Sequence, residues 1–417
     1  MSTEFADSLA ESGHLTGFPV ALPPQSPPNA TPRRVGSPPR TRKILHIING
    51  EHYSGAERVQ DLLAAGLRDF SYDMGFACIK PGRFAECRQD RKSPLFDCPM
   101  KSRFDLRILR KLGRIVVEEG YELLHAHTPR SLLIGRLVAA QQGLPLVYHV
   151  HSPTSRDSTR AWVNRFNAMT ENWSLSNVSR IITVSESLAA HMRQQGFDSQ
   201  LISVVPNGVP RVEHRKRVAP STGPWTLGTV ALFRPRKGTE ILLQAIAHLR
   251  DQGIAVKLRA VGGFETADYE SYLKQLTSDL NLNDTVDWVG FQKDVNQQLE
   301  QIDLFVLPSL FGEGMPMVVL ESMAMGIPVV STYVEGVPEV IRDGIDGRLA
   351  TPGDSSELAS AIASIVEGDF DWASLSRSVS ERHDLRYSDR SMAAGVASVY
   401  DGILRVRQPD PVTEHAR

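Results

Sequence analysis

From Lys43 onward the chain alternates short, nearly continuous apolar runs with amphipathic stretches of helical length, and no other feature restricts the fold as much. KILHIIN precedes GAERVQDLLAAGL, MGFACI precedes FDLRILRKLGRIVVEE, ELLHAH precedes SLLIGRLVAAQQ, and RIITVS precedes ESLAAHMRQQG, with PLVYHVH and LISVVPNGV as further runs. Runs without polar alternation are what strands of a parallel sheet look like when helices cover both faces. Each pair therefore reads as a β-α unit.

The polar, proline-bearing segment from Pro210 to Pro224 breaks this rhythm, and a second series follows from TLGTVALF to ELASAIASIVEG. The expected fold class is α/β, with two doubly wound parallel-sheet (Rossmann-like) domains facing a cleft, because open sheets of this kind bind ligands outside the carboxyl ends of their strands. Residues 41–210 form the first domain, 211–224 the linker, 225–385 the second domain and 386–408 a C-terminal helix. Residues 1–40 carry Pro19, Pro23, Pro24, Pro27, Pro28, Pro32, Pro38 and Pro39 without apolar periodicity and are expected to be a disordered tail.

At 417 residues, 41 % hydrophobic and 23 % charged, the chain is not collagenous, coiled-coil or wholly disordered, and it is long enough to bury a core without disulfides. Its cysteines, Cys78, Cys87 and Cys98, form no Cys-x-x-Cys pair, which points to a reducing compartment and no structural metal. No stretch approaches about 18 apolar residues, and the first residues lack the blocks of a secretory signal, so a cytoplasmic protein is expected. The net charge of -2 hides an asymmetry of +6 over residues 41–210 and -8 over 211–417. The positive half suits a nucleic acid, an anionic membrane or an anionic substrate, and equally a mixed solvated surface. Within it, Arg103, Arg107, Arg110, Lys111 and Arg114 recur beside Leu106, Leu109 and Leu112, a pattern that fits either a helix lying on anionic lipid or a solvated face.

The segment FGEGMPMVVLESMAMGIPVVS, residues 311–331, is the richest in chemistry. Gly312 and Gly314 keep the loop slim, Pro316 suits a first helical turn, and the N-H groups of Met315, Met317 and Val318 are expected to approach an anion such as a diphosphate. Glu321 is anomalous on an apolar helix and must be paired or solvated, by a core arginine or by a ligand. Glu313 reads as a ligand contact or as a helix N-terminal charge. Before a second helix, Arg234, Arg236 and Lys237 form a cluster able to neutralise diphosphate oxygens, or else to solvate a loop. His125 with His127, and His149 with His151, each share one strand face. Metal ligation would want supporting Cys or Asp residues that are missing, so no metal site is expected. Asp369 and Asp371 sit between helices instead of after a strand, and no Gly-x-Gly-x-x-Gly opens the first unit, which weakens metal-dependent sugar transfer and hydride transfer respectively.

The Glu-x7-Glu pair in FGEGMPMVVLESMAMGIPVV resembles the signature of retaining, GT-B fold glycosyltransferases of family 4 (group 1). GAERVQDLLAAGL, HAHTPR, IITVSES, VVPNGV and GIDGRLATPGD are similar to other family segments, so the likeness covers roughly residues 43–405. It implies that Glu313 contacts donor-sugar hydroxyls, that Glu321 binds the nucleotide ribose, that Lys237 and Arg234 meet the diphosphate, and that His151 lies near the reacting carbon. Gly55 would approach the diphosphate and acceptor closely. A carboxylate suits both glutamate roles, since it accepts from two vicinal hydroxyls at once. Three departures stand out: Ser54 replaces a glycine, Ala231-Leu232 replaces the strand-ending Gly-Arg pair so that Arg234 substitutes, and Glu335 replaces a glycine while Glu339 matches.

The resemblance implies a metal-independent, retaining hexosyltransferase without cofactor, in which a nucleotide-diphosphate sugar is co-substrate and the acceptor is a lipid-linked or growing polysaccharide glycan. Catalytic roles fall to Glu313, His151 and Lys237, and donor binding to Arg234, Lys237, Gly314, Met315, Met317, Val318, Glu321 and Gly55. The last helix would cross back to the first domain. Expected partners include an anionic membrane surface at the cytoplasmic face but no nucleic acid. A GT-B nucleotide-sugar epimerase and a catalytically inactive sugar- or lipid-binding member of an envelope-polymer assembly are the alternatives.

Overall fold

The first sheet is built as the apolar runs require. In the computed structural model, which describes residues 40–53, 55–102, 105–152, 178–213, 218–220 and 224–406, it comprises β1 (Arg42–Ile48), β2 (Tyr72–Cys78), β3 (Leu95–Asp97), β4 (Leu123–Ala126), β5 (Leu146–Val150), β6 (Arg180–Thr183) and β7 (Ile202–Val204). All are parallel, in the order β3-β2-β1-β4-β5-β6-β7. The expected tail, Ser54, Arg103 and parts of the linker lie outside the described residues. Ile44, Leu45, Ile47 and Ile48 of β1 have no exposure at all, because helices cover both faces of the sheet.

The second sheet repeats the plan with β8 (Trp225–Val230), β9 (Val256–Val261), β10 (Val286–Gly290), β11 (Leu304–Leu307), β12 (Val329–Thr332) and β13 (Gly347–Ala350), in the parallel order β10-β9-β8-β11-β12-β13. In each sheet the winding reverses once, between β1 and β4 and between β8 and β11. Those two switch points open crevices at the carboxyl ends of the strands, the ordinary ligand position of doubly wound sheets.

The described residues from Thr41 onward form one compact unit, and one buried apolar cluster runs from the first sheet through Met315, Met317, Val319 and Leu320 of the second domain to the last helix. A turn at His383–Tyr387 leads into that helix, Asp389–Val406. Val209 donates its N-H to Tyr387 O at 2.9 Å and accepts from the Asp389 N-H at 3.0 Å, so the returning chain lies directly beside the outgoing one. Gly208 permits this approach, since a Cβ there would stand 2.1 Å from the Ser388 carbonyl oxygen. Met392, Ala393, Val396 and Tyr400 then bury against the first domain, where Tyr72 donates to Asp401 at 2.6 Å. Among the described residues no helix is long and apolar enough to cross a membrane.

Candidate active site

The second-domain half of the site begins where β11 ends. Pro308–Pro316 form a loop, and the helix Met317–Ala324 follows with Pro316 at its N-cap, one residue outside the first helical turn. Glu313 is buried in this loop, where its Oε1 accepts from Ser309 Oγ at 2.7 Å and from Lys237 Nζ. Lys237 stands in the turn after β8, and Gly238 allows that turn because its φ of +62° and its approach to the Pro308 carbonyl leave no room for a Cβ. Arg236 donates to the Gly312 carbonyl at 3.0 Å and lies 3.6 Å from Glu313. The cluster expected at a diphosphate is thus built around the glutamate expected at the sugar. Burial holds the Lys237 ammonium below its ordinary pKa, against the opposing pull of Glu313. Arg234 points elsewhere, 3.4 Å from Glu265, with its buried Nε unpartnered among the described residues.

Glu335 takes part in the same loop from beyond β12. Its backbone is left-handed, with φ +23°, and its Oε2 accepts from the N-H groups of Gly312 and Glu313 at 2.8 and 3.1 Å. A glycine there would accept the backbone more readily but could not hold the loop amides. Leu232, at the position of the missing arginine, is half exposed.

Glu321 finds its partner across the cleft. Arg58, from the first-domain helix Gly55–Gly66, donates to Glu321 Oε1, which answers the need for a countercharge on an apolar helix. The pairing is one-sided: Glu321 is 3 % exposed and its Oε2 has no partner among the described residues. Burial pushes the Glu321 carboxyl up, against Arg58.

Other groups close the two halves onto one another. A Cβ on Gly314 would stand 2.3 Å from the His151 carbonyl oxygen, so only glycine lets the loop meet the end of β5. Gly55 faces Met317, with 3.6 Å from its absent Cβ to Met317 Cγ. Asn207 donates its side-chain N-H to the Met315 carbonyl at 3.2 Å. Glu339 accepts from the Glu186 and Ser187 N-H groups, both at 2.7 Å, and so caps the helix Glu186–Gln194 of the opposite domain. Val318 is half-buried on the first turn of its helix.

The predicted residues Glu313, Glu321, Lys237, Gly314, Met315, Met317, Val318, Gly55 and His151 therefore come together at the facing switch points, while Arg234 stands at their edge. Arg58, Ser309, Glu335 and Asn207 join them without having been singled out for the site. Only Arg58 left a signal, since a lone carboxylate on an apolar helix demands an arginine, but the sequence does not say which. Asp371 caps the helix Trp372–Arg382 by accepting from Ser374 N-H at 2.9 Å, which explains the isolated Asp-x-Asp. At the first switch point His46, His125 and His127, and again His127, His149 and His151, bring ring nitrogens within 4.8 Å of one another.

Comparison with known proteins gives the family and the fold. Residues 53–212 match the family described as Glycosyltransferase Family 4, and residues 224–368 match Glycosyl transferases group 1. The amylovoran biosynthesis glycosyltransferase AmsK of Erwinia amylovora is 34 % identical over 155 residues, 36 % of this chain and 37 % of that protein. The UDP-Gal:alpha-D-GlcNAc-diphosphoundecaprenol alpha-1,3-galactosyltransferase of Escherichia coli is 24 % identical over 343 residues, 78 % of this chain and 88 % of its own. With relatives above 30 % identity, such as AmsK, the match spans about half their length or less. Anabaena Alr3699/HepE, crystallised in complex with UDP-glucose, superposes with a TM-score of 0.75 at 25 % identity, covering 86 % of this chain and 99 % of that one.

Proposed function

As the chain belongs to the GT-B glycosyltransferases of group 1 and family 4, we propose that it moves a sugar from a nucleotide-diphosphate donor to a hydroxyl of a lipid-linked or growing polysaccharide acceptor, with retention of anomeric configuration. The observation that carries this reading is Glu321. A buried carboxylate oxygen without a partner costs about 1–3 kcal/mol, and a ribose diol would satisfy it while Arg58 holds the other oxygen. HepE in complex with UDP-glucose and the Escherichia coli transferase named for UDP-Gal and a diphosphoundecaprenol acceptor support the same class of substrates.

In the proposed reaction Lys237, with Arg234 at the edge, neutralises the leaving diphosphate, and the amides opening the helix Met317–Ala324 add their dipole. This needs no divalent ion. Glu313, held by Lys237 and Ser309, orients donor-sugar hydroxyls and is not a nucleophile. The bond from the anomeric carbon to the phosphate oxygen breaks as the acceptor oxygen bonds the same face, and the acceptor proton passes to the departing phosphate. Closure around His151 and Gly314 excludes the water that would hydrolyse the donor. A lipid-linked acceptor also fits a peripheral position at a membrane, supported by the exposed Arg107, Arg110, Lys111 and Arg114.

A thermal-shift panel of UDP, GDP, ADP and their common sugar conjugates tests the reading, since a ligand that binds the native state raises Tm. One base should give a shift that Glu321→Ala abolishes. No shift with any of them, with and without acceptor-lipid vesicles, would overturn it.

A further inference from the structure

Glu335 does more than fill the place of a glycine. The strand β12 ends at Thr332, whose hydroxyl donates to the Ser309 carbonyl at 2.5 Å, and Tyr333 donates its N-H to the Ala350 carbonyl of β13 at 2.9 Å. The segment that follows is therefore anchored to the sheet before it meets the loop Pro308–Pro316. There it grips one residue from two sides. Glu335 Oε2 accepts from the Glu313 N-H at 3.1 Å, and Gly336 donates its N-H to the Glu313 carbonyl at 3.0 Å. Gly312 is likewise held at both backbone groups, its N-H by Glu335 Oε2 at 2.8 Å and its carbonyl by Arg236 at 3.0 Å. A Cβ on Gly336 would stand 1.9 Å from the Gly314 carbonyl oxygen, so the two segments lie flush.

The peptide groups on either side of the Glu313 Cα are thus fixed, and with them the direction in which its side chain leaves the backbone. At the far end of that side chain, Oε1 accepts from Ser309 Oγ at 2.7 Å and from Lys237 Nζ. A carboxylate held at both ends keeps one position. That matters for a group that orients a substrate, because an error of about 1 Å there costs about a hundred-fold in rate. The backbone of Glu335 has a cost of its own: its φ of +23° lies in the left-handed region, which glycine adopts freely and a residue with a side chain does not. Such a conformation persists where contacts hold it, and the contacts here are charge-assisted hydrogen bonds from two loop amides. Each amide has a single proton to give, so a bound phosphate is left those nearer the start of the helix Met317–Ala324.

We propose that Glu335 is a positioning residue, which through the amides of Gly312 and Glu313 sets the reach of the Glu313 carboxylate toward the donor sugar. The grip on the loop does not depend on a ligand; its consequence for the sugar rests on the glycosyl-transfer reading.

Amide hydrogen exchange of the full chain, resolved to single residues, reads the grip without any substrate. Gly312 and Glu313 should exchange slowly in the wild type, at least about ten-fold faster in Glu335→Gly, and near the wild-type rate in Glu335→Gln, whose side-chain oxygen still accepts. Turnover reads the consequence. With the donor found by thermal shift, Glu335→Gly should lower kcat about ten-fold while the affinity for the bare nucleoside diphosphate changes less than about two-fold, and Glu335→Gln should restore most of the rate. In a Glu313→Gln background the same change should cost little more, because it acts through a residue already altered. Fast exchange of both amides in the wild type, exchange unmoved by Glu335→Gly, or exchange that quickens when the nucleotide sugar binds would each overturn the proposal. So would losses that multiply in the double variant, or a fall in diphosphate affinity equal to the fall in kcat, either of which leaves Glu335 a purely structural part. Absence of nucleotide binding in the wild type would instead overturn the transferase reading, and with it the role toward sugar, while the exchange rates would still uphold or refute the grip on the loop.

Discussion

Arg58 and Glu321 depend on one another in a way that neither residue's type would suggest. Removing the arginine leaves a carboxylate buried without countercharge, a loss of about 3–5 kcal/mol when the charge cannot escape. Arg58→Met should therefore destabilise strongly in urea titrations, more at pH 8 than at pH 6, because burial already raises the Glu321 carboxyl and acid lets it protonate. Adding Glu321→Gln should recover part of the loss; equal stabilities for wild type and Arg58→Met would dismiss the pair. The histidine cluster has the opposite sensitivity. Unfolded histidine protonates near pH 6.5, whereas burial keeps His46 and His151 neutral down to about 3 and about 4, and His125, His127 and His149 lie well below the ordinary value. Stability is full above about pH 6.5 and falls as pH drops toward 4, since only the unfolded chain takes up protons there. The unfolding constant should rise about ten-fold per ring for each pH unit lost. Urea midpoints at pH 7.5, 6 and 5 check this, and His149→Phe should flatten the slope by about one proton.

The loop between β11 and the helix Met317–Ala324 shows how an element meets its counterpart. Gly314→Ala sets a Cβ against the His151 carbonyl, where backbone on both sides must give, so turnover should fall at least about ten-fold while the nucleotide binding proposed for Glu321 persists. Unchanged turnover would mean that the two domains need not meet here during the reaction. The helix Arg107–Glu119 behaves differently on its two faces. Ile108, Leu112, Ile115 and Val116 bury, while Leu106 before it and Val117 within it stand about two-thirds exposed beside the basic residues. If it lies on lipid, cosedimentation with vesicles containing anionic lipid should exceed that with neutral vesicles, weaken with salt, and drop when Arg110, Lys111 and Arg114 become Gln. Binding insensitive to all three changes would assign the basic face to solvent alone.

Across the whole molecule, the return of the last helix ties the two halves together. Gly208→Ala pushes on the Ser388 carbonyl, an overpacking that costs about 1–3 kcal/mol, and it should lower Tm measurably with little change in helix content. An unaltered Tm would show that the crossover can relax freely. The two sheets were legible in the sequence because continuous apolar runs between amphipathic stretches leave little choice but buried parallel strands, and the Glu313–Glu321 loop announced itself through glycines, proline and charge at a helix start. Local pattern determined the elements, the fold class and the residues of one half of the site. Which residues complete it was decided only in three dimensions. Arg58 reaches Glu321 from 263 residues away, Tyr400 closes a line of histidines from 354 away, and Glu339 caps a helix of the opposite domain. Hydrogen bonds and ion pairs of that kind depend on angles and distances between elements, for which a linear order of side chains carries no record.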